Sequence, residues 1–300
     1  MSDFRCAVAS EGISESIAGT ASTVRAFLLL EAPGAWGVDA VTGARLDPDV
    51  QRRLRQLTRS GVRPLLIRGH GRQRTSGTRL FAAHVGSAGP PTTVLPWVET
   101  TELTDPRELL DLQLEGVGEG TSPGLTPYDE PLFFVCTHGK HDVCCAELGR
   151  PLCRAMHQVA PEHTWEVSHI GGDRFAPNVL VLPHGLYYGR LDPADATGFV
   201  ATVRREELDL EHLRGRCSLP FPAQAAEIFL RRQLDHLDAL PLPVLEHTRA
   251  GDETRLMFVV GGVRWEVRVR SSRFEPRQLT CRAASLSAGP EHHLVGINQA

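Results

Sequence analysis

Residues 25–31, RAFLLLE, form an apolar run of strand length, and PGAWG breaks the chain just after it. Residues 47–59, DPDVQRRLRQLTR, carry apolar residues at helical spacing behind an Asp-Pro start, so the pattern predicts a helix capped by Asp47. RPLLIR at 63–68 reads as a second buried strand, and 79–84 and 93–98 read as further strands. Residues 115–130, EGVGEGTSPGLTPYDE, are rich in Gly, Pro and acids and read as a linker. A new strand, PLFFV at 131–135, leads into the polar loop CTHGKHDVCC at 136–145. The pattern then predicts a helix over 145–159, strands at 164–168 and 178–182, and a helix over 192–206 starting at Asp192 and Pro193. An amphipathic helix follows at 222–239, and RLMFVV and VRWEVRVR separated by Gly-Gly give a hairpin signal.

Alternating strands and helices place the chain in the α/β class. The order strand–loop–helix–strand–strand–helix after residue 131 is close to a thioredoxin-type half. The expected architecture is a thioredoxin-like α/β sandwich of two α/β units with a small antiparallel C-terminal β appendage. The expected boundaries are 1–114 for an N-terminal α/β unit, 131–240 for a thioredoxin-like ferredoxin unit with the candidate site, and 241–300 for the appendage. The sequence carries no obvious repeat of 20–50 residues.

Composition narrows the function. With 300 residues and 41% apolar content the chain can bury a sizeable core, and its net charge is −4. No run of five Lys or Arg occurs, so neither nucleic acid nor an anionic membrane is an expected partner. The first residues, MSDFRCAVASEGISES, lack a basic segment followed by an apolar one, and apolar runs such as 26–30 and 179–182 are too short to span a bilayer. A cytoplasmic location is therefore expected. Seven unevenly spaced cysteines then point to metal binding, catalysis or burial rather than a disulfide framework.

Chemistry concentrates between residues 136 and 173. Cys136 follows an apolar strand, and Cys144 and Cys145 open a helix. Strand ends and helix starts meet at one edge of an α/β sheet, so the sulfurs of Cys136 and Cys145 can converge. A helix N-terminus also favours the thiolate that metals need. In SHIGGDRFAPN, His169 and Asp173 flank Gly171 and Gly172, whose freedom lets the backbone fold tightly against a bound group. Two thiolates, an imidazole and a carboxylate make two pairs of donors, which suits a binuclear cluster. Zinc is the alternative, although structural zinc pairs usually come as C-x2–4-C. Thiol exchange favours C-x-x-C, and Cys144 and Cys145 are vicinal. Cys6, Cys153, Cys217 and Cys281 read as structural, and Tyr187, Tyr188 and Arg190 as packing. No P-loop, G-x-S-x-G or G-x-G-x-x-G after a strand is present.

VCTHGKHDVCCAELGRPL, followed by WEVSHIGGDRFAPNVLVLPHGLYYGRL, resembles the sucrase/ferredoxin-like family of thioredoxin-like 2Fe-2S proteins. RCAVAS, ESIAGTAS, AFLLLEAPGAWG and QAAEIFLR resemble its bacterial members, so the likeness extends to about residue 235. In that family two cysteines hold one iron and an H-x3-H pair holds the other. By resemblance, Cys136 and Cys145 match the cysteines and His169 the first histidine, while Asp173 stands at the second histidine position. The resemblance thus implies a 2Fe-2S cluster on Cys136, Cys145, His169 and Asp173, with His138, His141 or Cys144 as other sources of a fourth donor. An oxidised cluster of charge +2 falls to 0 with two thiolates and to −1 with one added carboxylate. Its potential is expected below that of a two-histidine relative and above that of an all-cysteine ferredoxin. The function implied is a non-enzymatic electron carrier serving redox partner proteins. The alternatives are a cluster-free thiol oxidoreductase and a cluster-less binding module. The word sucrase would require paired carboxylates, and the sequence singles out no such pair.

Overall fold

The computed structural model describes residues 3–71, 77–86 and 94–300. A short helix α1 (Cys6–Gly12) precedes strand β1 (Ala26–Glu31), whose six residues are all buried. The chain passes through α2 (Ala40–Gly43) and α3 (Pro48–Leu57), where the Asp47 side chain accepts the Asp49 amide as the sequence predicts. It returns as β2 (Val62–Gly69), parallel to β1. Strands β3 (Thr78–His84) and β4 (Trp97–Leu103) then add antiparallel beyond β1, and the two-residue β5 (Thr126–Pro127) pairs with β4.

β4 lies later than the strand expected at 93–98, whose first residue is outside the described residues. WVETTEL hides its strand because its buried side chains include Glu99 and Thr100. Both are satisfied: Glu99 accepts from Ser122 Oγ at 2.5 Å and Leu125 N at 2.8 Å, and Thr100 donates to the Leu80 carbonyl. Those Glu99 partners lie in the segment 115–130, so this stretch is packed rather than free. Val117 is buried there, and a Cβ on Gly118 would run into the Ser60 carbonyl oxygen.

The same order then recurs. β6 (Leu132–Cys136), α4 (Val143–Val159) and β7 (Thr164–Val167) form a second parallel β-α-β, and β8 (Asn178–Leu182) and β9 (Leu186–Gly189) add antiparallel beyond β6. Helix α5 (Ala196–Arg204) leads to β10 (Leu213–Arg216), which pairs with β9. The two sets join where β2 runs antiparallel to β7, with Ile67 opposite Val167, Arg68 opposite Glu166 and Gly69 opposite Trp165. The result is one ten-stranded sheet in which the strand order of one set mirrors that of the other about the β2–β7 pair. Arg68 strengthens this seam with hydrogen bonds of 2.9 and 2.7 Å to Glu166.

One face of the sheet packs against helices: Leu28 and Leu30 against Val50 and Leu54 of α3, Phe133 and Val135 against Leu152 and Met156 of α4. The other face is apolar across both units and curls on itself. Phe81 of β3 sits 6.0 Å from Phe134 of β6 and 5.6 Å from Trp165 of β7 between ring centroids, although other strands separate them in the sheet.

Helix α6 (Phe221–Leu234) ends where Asp235 takes a left-handed conformation, φ 49°, five residues before the end expected at 239. Its Ile228 faces the large sheet, while Ala223, Ala226 and Leu230 face Leu256, Phe258, Val267 and Val269 of the C-terminal sheet. That sheet contains β11 (Val244–Ala250), β12 (Glu253–Val260), β13 (Val263–Arg273) and β14 (Pro290–Gln299), in sequence order and antiparallel. The expected hairpin is β12–β13, turned by Gly261 and Gly262 at φ 57° and 80°, the paired positive values a tight primed turn needs.

Candidate metal centre

Cys136 is the last residue of β6, and Asp142, three residues before Cys145, caps α4 by accepting the Cys144 amide at 2.9 Å. The helix can start this close to the strand because Gly149, in its second turn, lies against the Cys136 carbonyl, where any Cβ would collide. Both thiols are buried, Cys136 at 1% and Cys145 at 0% exposure. The loop after β7 brings the other side. Gly171 and Gly172, at φ 101° and 80°, turn it back so that His169 and Asp173 face the sulfurs.

The donors converge. Cys136 Sγ, Cys145 Sγ and a His169 ring nitrogen lie within 4.8 Å of one another, and so do donor atoms of His141, His169 and Asp173. Cys145 Sγ donates to Asp173 Oδ1 at 3.2 Å. His169 Nδ1 is buried and lies 2.9 Å from the same oxygen, an imidazole–carboxylate contact. His141 stacks on His169 at 3.6 Å between centroids, with its Nε2 3.7 Å from Asp173 Oδ2.

Neighbouring groups set the charge states. The close contact with Cys145, with the nearby His169, holds the Cys136 thiol below its ordinary range despite burial. The same contact pushes Cys145 well above its range. The two thiols are thus shifted in opposite directions, Cys136 being the more acidic of the pair. Burial pushes the Asp173 carboxyl up, but His169, Cys145 and His141 together hold it below the usual carboxylate range.

The loop is held from beneath by Arg214, which is 1% exposed. Its guanidinium donates to the Gly171 carbonyl at 2.9 Å, the Thr20 carbonyl at 2.6 Å and Asn178 Oδ1 at 2.8 Å. Arg63 of β2 donates to the His169 carbonyl at 3.0 Å, and Ser168 accepts from Leu66 N at 3.0 Å. The first unit therefore helps position the donors of the second.

Two other sources considered for a fourth donor are engaged elsewhere. His138 donates Nε2–H to the Gly37 carbonyl at 2.6 Å and accepts the His169 amide on Nδ1 at 3.2 Å, which occupies both ring nitrogens. Cys144 turns away from Cys145 to Cys281, 3.4 Å from sulfur to sulfur, and Cys281 lies 3.5 Å from Cys6. Cys6, Cys144, Cys281 and Asp142 are a second convergence that sequence reading missed. Hydrogen bonding from Cys6 draws the Cys144 thiol down to about 6, and burial pushes Cys281 up to about 11. Cys153 and Cys217 are core residues, as expected; Tyr187 and Tyr188 are buried beside them in the same cores.

Among the described residues, no helix is long and apolar enough to cross a membrane. No solved structure matches the chain. Three fungal proteins named Altered inheritance of mitochondria protein 32 do. That of Meyerozyma guilliermondii is 32% identical over 87 residues, covering 26% of this chain and 31% of the relative. Those of Candida glabrata and Debaryomyces hansenii are 27% and 26% identical over 101 and 115 residues, 29% and 35% of this chain and 32% and 38% of theirs. The chain thus spans about a third of the length of these curated relatives. The sucrase/ferredoxin-like profile matches residues 17–215, the span that holds both β-α-β units and all four donors from Cys136 to Asp173. The chain belongs to the sucrase/ferredoxin-like family.

Proposed function

We propose that the protein is a 2Fe-2S electron-transfer protein, with Cys136 and Cys145 holding one iron and His169 and Asp173 the other. The observation that carries this reading is the convergence of two buried thiols, an imidazole and a carboxylate, from a strand end, a helix start and one glycine-turned loop. These donors fit such a cluster in chemistry. When bound, the cluster supplies a one-electron store. Cys136 and Cys145 shield the buried side, while His169 and His141, with 26% and 34% of their side chains exposed, form the edge through which a redox partner would approach. Arg214, fully buried beneath the loop, supplies positive charge against two thiolates and a carboxylate.

The test is the visible spectrum of protein purified without oxygen, with iron and acid-labile sulfide assays. The expected result is sulfide-to-iron charge-transfer bands with about two irons and two sulfides per chain. A colourless, iron-free protein that resists reconstitution would overturn the reading. It would leave Cys136 and Cys145 as a buried dithiol for thiol chemistry.

A further inference from the structure

Cys6, Cys144 and Cys281 are far apart in sequence, and each sits on a different segment: α1, the start of α4, and the loop between β13 and β14. Their sulfurs nonetheless meet. Cys144 and Cys281 are 3.4 Å apart, Cys281 and Cys6 3.5 Å, and Cys6 Sγ lies 3.7 Å from both oxygens of Asp142. A tetrahedral zinc with bonds of about 2.3 Å to sulfur and about 2.0 Å to oxygen has ligand-to-ligand edges of about 3.5–3.8 Å. The observed spacings are those edges to within a few tenths of an ångström.

We propose that Cys6, Cys144, Cys281 and Asp142 form a second metal site, separate from the centre at Cys136 and Cys145, that binds zinc or a cation of similar softness. Binding displaces the thiol protons to solvent and leaves three thiolates and one carboxylate around the ion. Asp142 is already oriented, because Oδ1 accepts the Cys144 amide at 2.9 Å and Oδ2 the Cys281 amide at 2.7 Å. Each oxygen retains a lone pair for the ion. The charge is met locally: Cys281 lines a cavity of about 690 Å³ with Arg5, Lys140, Arg150 and Arg282 on its walls. Four donors suit a closed, structural site.

Cys6 and Cys281 lie outside residues 17–215, so the site ties both ends of the chain to the family's core. It does so one peptide bond from Cys145. The site grips the first turn of the helix whose next residue belongs to the other centre.

The test uses the full chain carrying Cys136→Ser and Cys145→Ser, stripped with chelator under reductant and titrated with Co²⁺. The first centre then cannot supply thiolates, so failure of the 2Fe-2S reading does not affect the outcome. Expected are thiolate-to-cobalt charge-transfer bands and intense tetrahedral d–d bands saturating at one equivalent and bleached by Zn²⁺. Adding Cys281→Ser should weaken binding at least tenfold. A second readout needs no variant at the site: one equivalent of Zn²⁺ should protect Cys6, Cys144 and Cys281 together from alkylation, read peptide by peptide. Absence of the tetrahedral spectrum, a spectrum indifferent to Cys281→Ser, or equal alkylation with and without Zn²⁺ would overturn the proposal.

Discussion

At position 173 a carboxylate stands within reach of both Cys145 and His169. If it ligates, replacing it with a neutral imidazole removes one negative charge from the cluster. Asp173→His should therefore raise the reduction potential and slow cluster loss, as measured by redox titration and by bleaching under chelator. An unchanged potential would remove Asp173 from the ligand set. The four candidate donors are legible in sequence because local rules bring them together: a strand end, a capped helix start and a Gly-Gly turn each fix a short segment. The Cys6–Cys144–Cys281 group is not legible. Its members share no spacing, and only the long return of the chain after β13 brings Cys281 to α4.

The packing of α4 on β6 rests on Gly149, whose missing side chain lets the helix lie against the Cys136 carbonyl. Gly149→Ala should push the helix outward, costing about 1–3 kcal/mol in a urea melt. It should also separate Cys145 from Cys136, lowering the iron retained per chain. Normal stability with normal iron would show that the contact is relaxed cheaply. Sequence patterns find α3, α4 and the buried strands because their apolar runs are long and their caps are strong. They place β4 too early because a buried Glu99 looks like a solvent residue until Ser122 and Leu125 arrive to satisfy it. They overrun α6 because its end is set by one Asp in a left-handed conformation.

Two features govern the molecule as a whole. Glu227 of α6 is buried between Arg216 and Arg231, accepting from Arg231 Nη2 at 2.9 Å and Arg216 Nη2 at 3.3 Å. The two arginines also bind the Ala239, Asp238 and Leu240 carbonyls, so this network fixes the passage to the C-terminal sheet. Burial raises the Glu227 pKa, but the arginines outweigh it and hold the group below the usual carboxylate range. A depressed folded value gives stability that is full above the unfolded pKa of about 4.3 and lost as pH falls through the folded one. Glu227→Gln should cost about 3–5 kcal/mol at neutral pH by stranding two buried cations. It should also flatten the decline of stability below pH of about 4, measured by urea melts across that range. A mutant that kept the wild-type acid slope would assign that slope to other carboxylates. The second feature is the seam. Because β2 pairs with β7 and the apolar face is shared, the two β-α-β units should unfold together. Fluorescence and circular dichroism transitions in urea should coincide, and a well-separated early loss of one unit would contradict this.

The repeated order of strands also divides the labour between the two units. Ala32 N bonds to the Ile67 carbonyl as Thr137 N bonds to that of Val167, so Glu31 ends its strand where Cys136 ends the sister strand. With the same strand order present twice, one unit can carry the reactive side chains while the other supports them. Here the unit without the sulfurs lends Arg63, Leu66 and Phe81 to steady and roof the other. It acts as the shelter of a pocket to which it contributes no thiol.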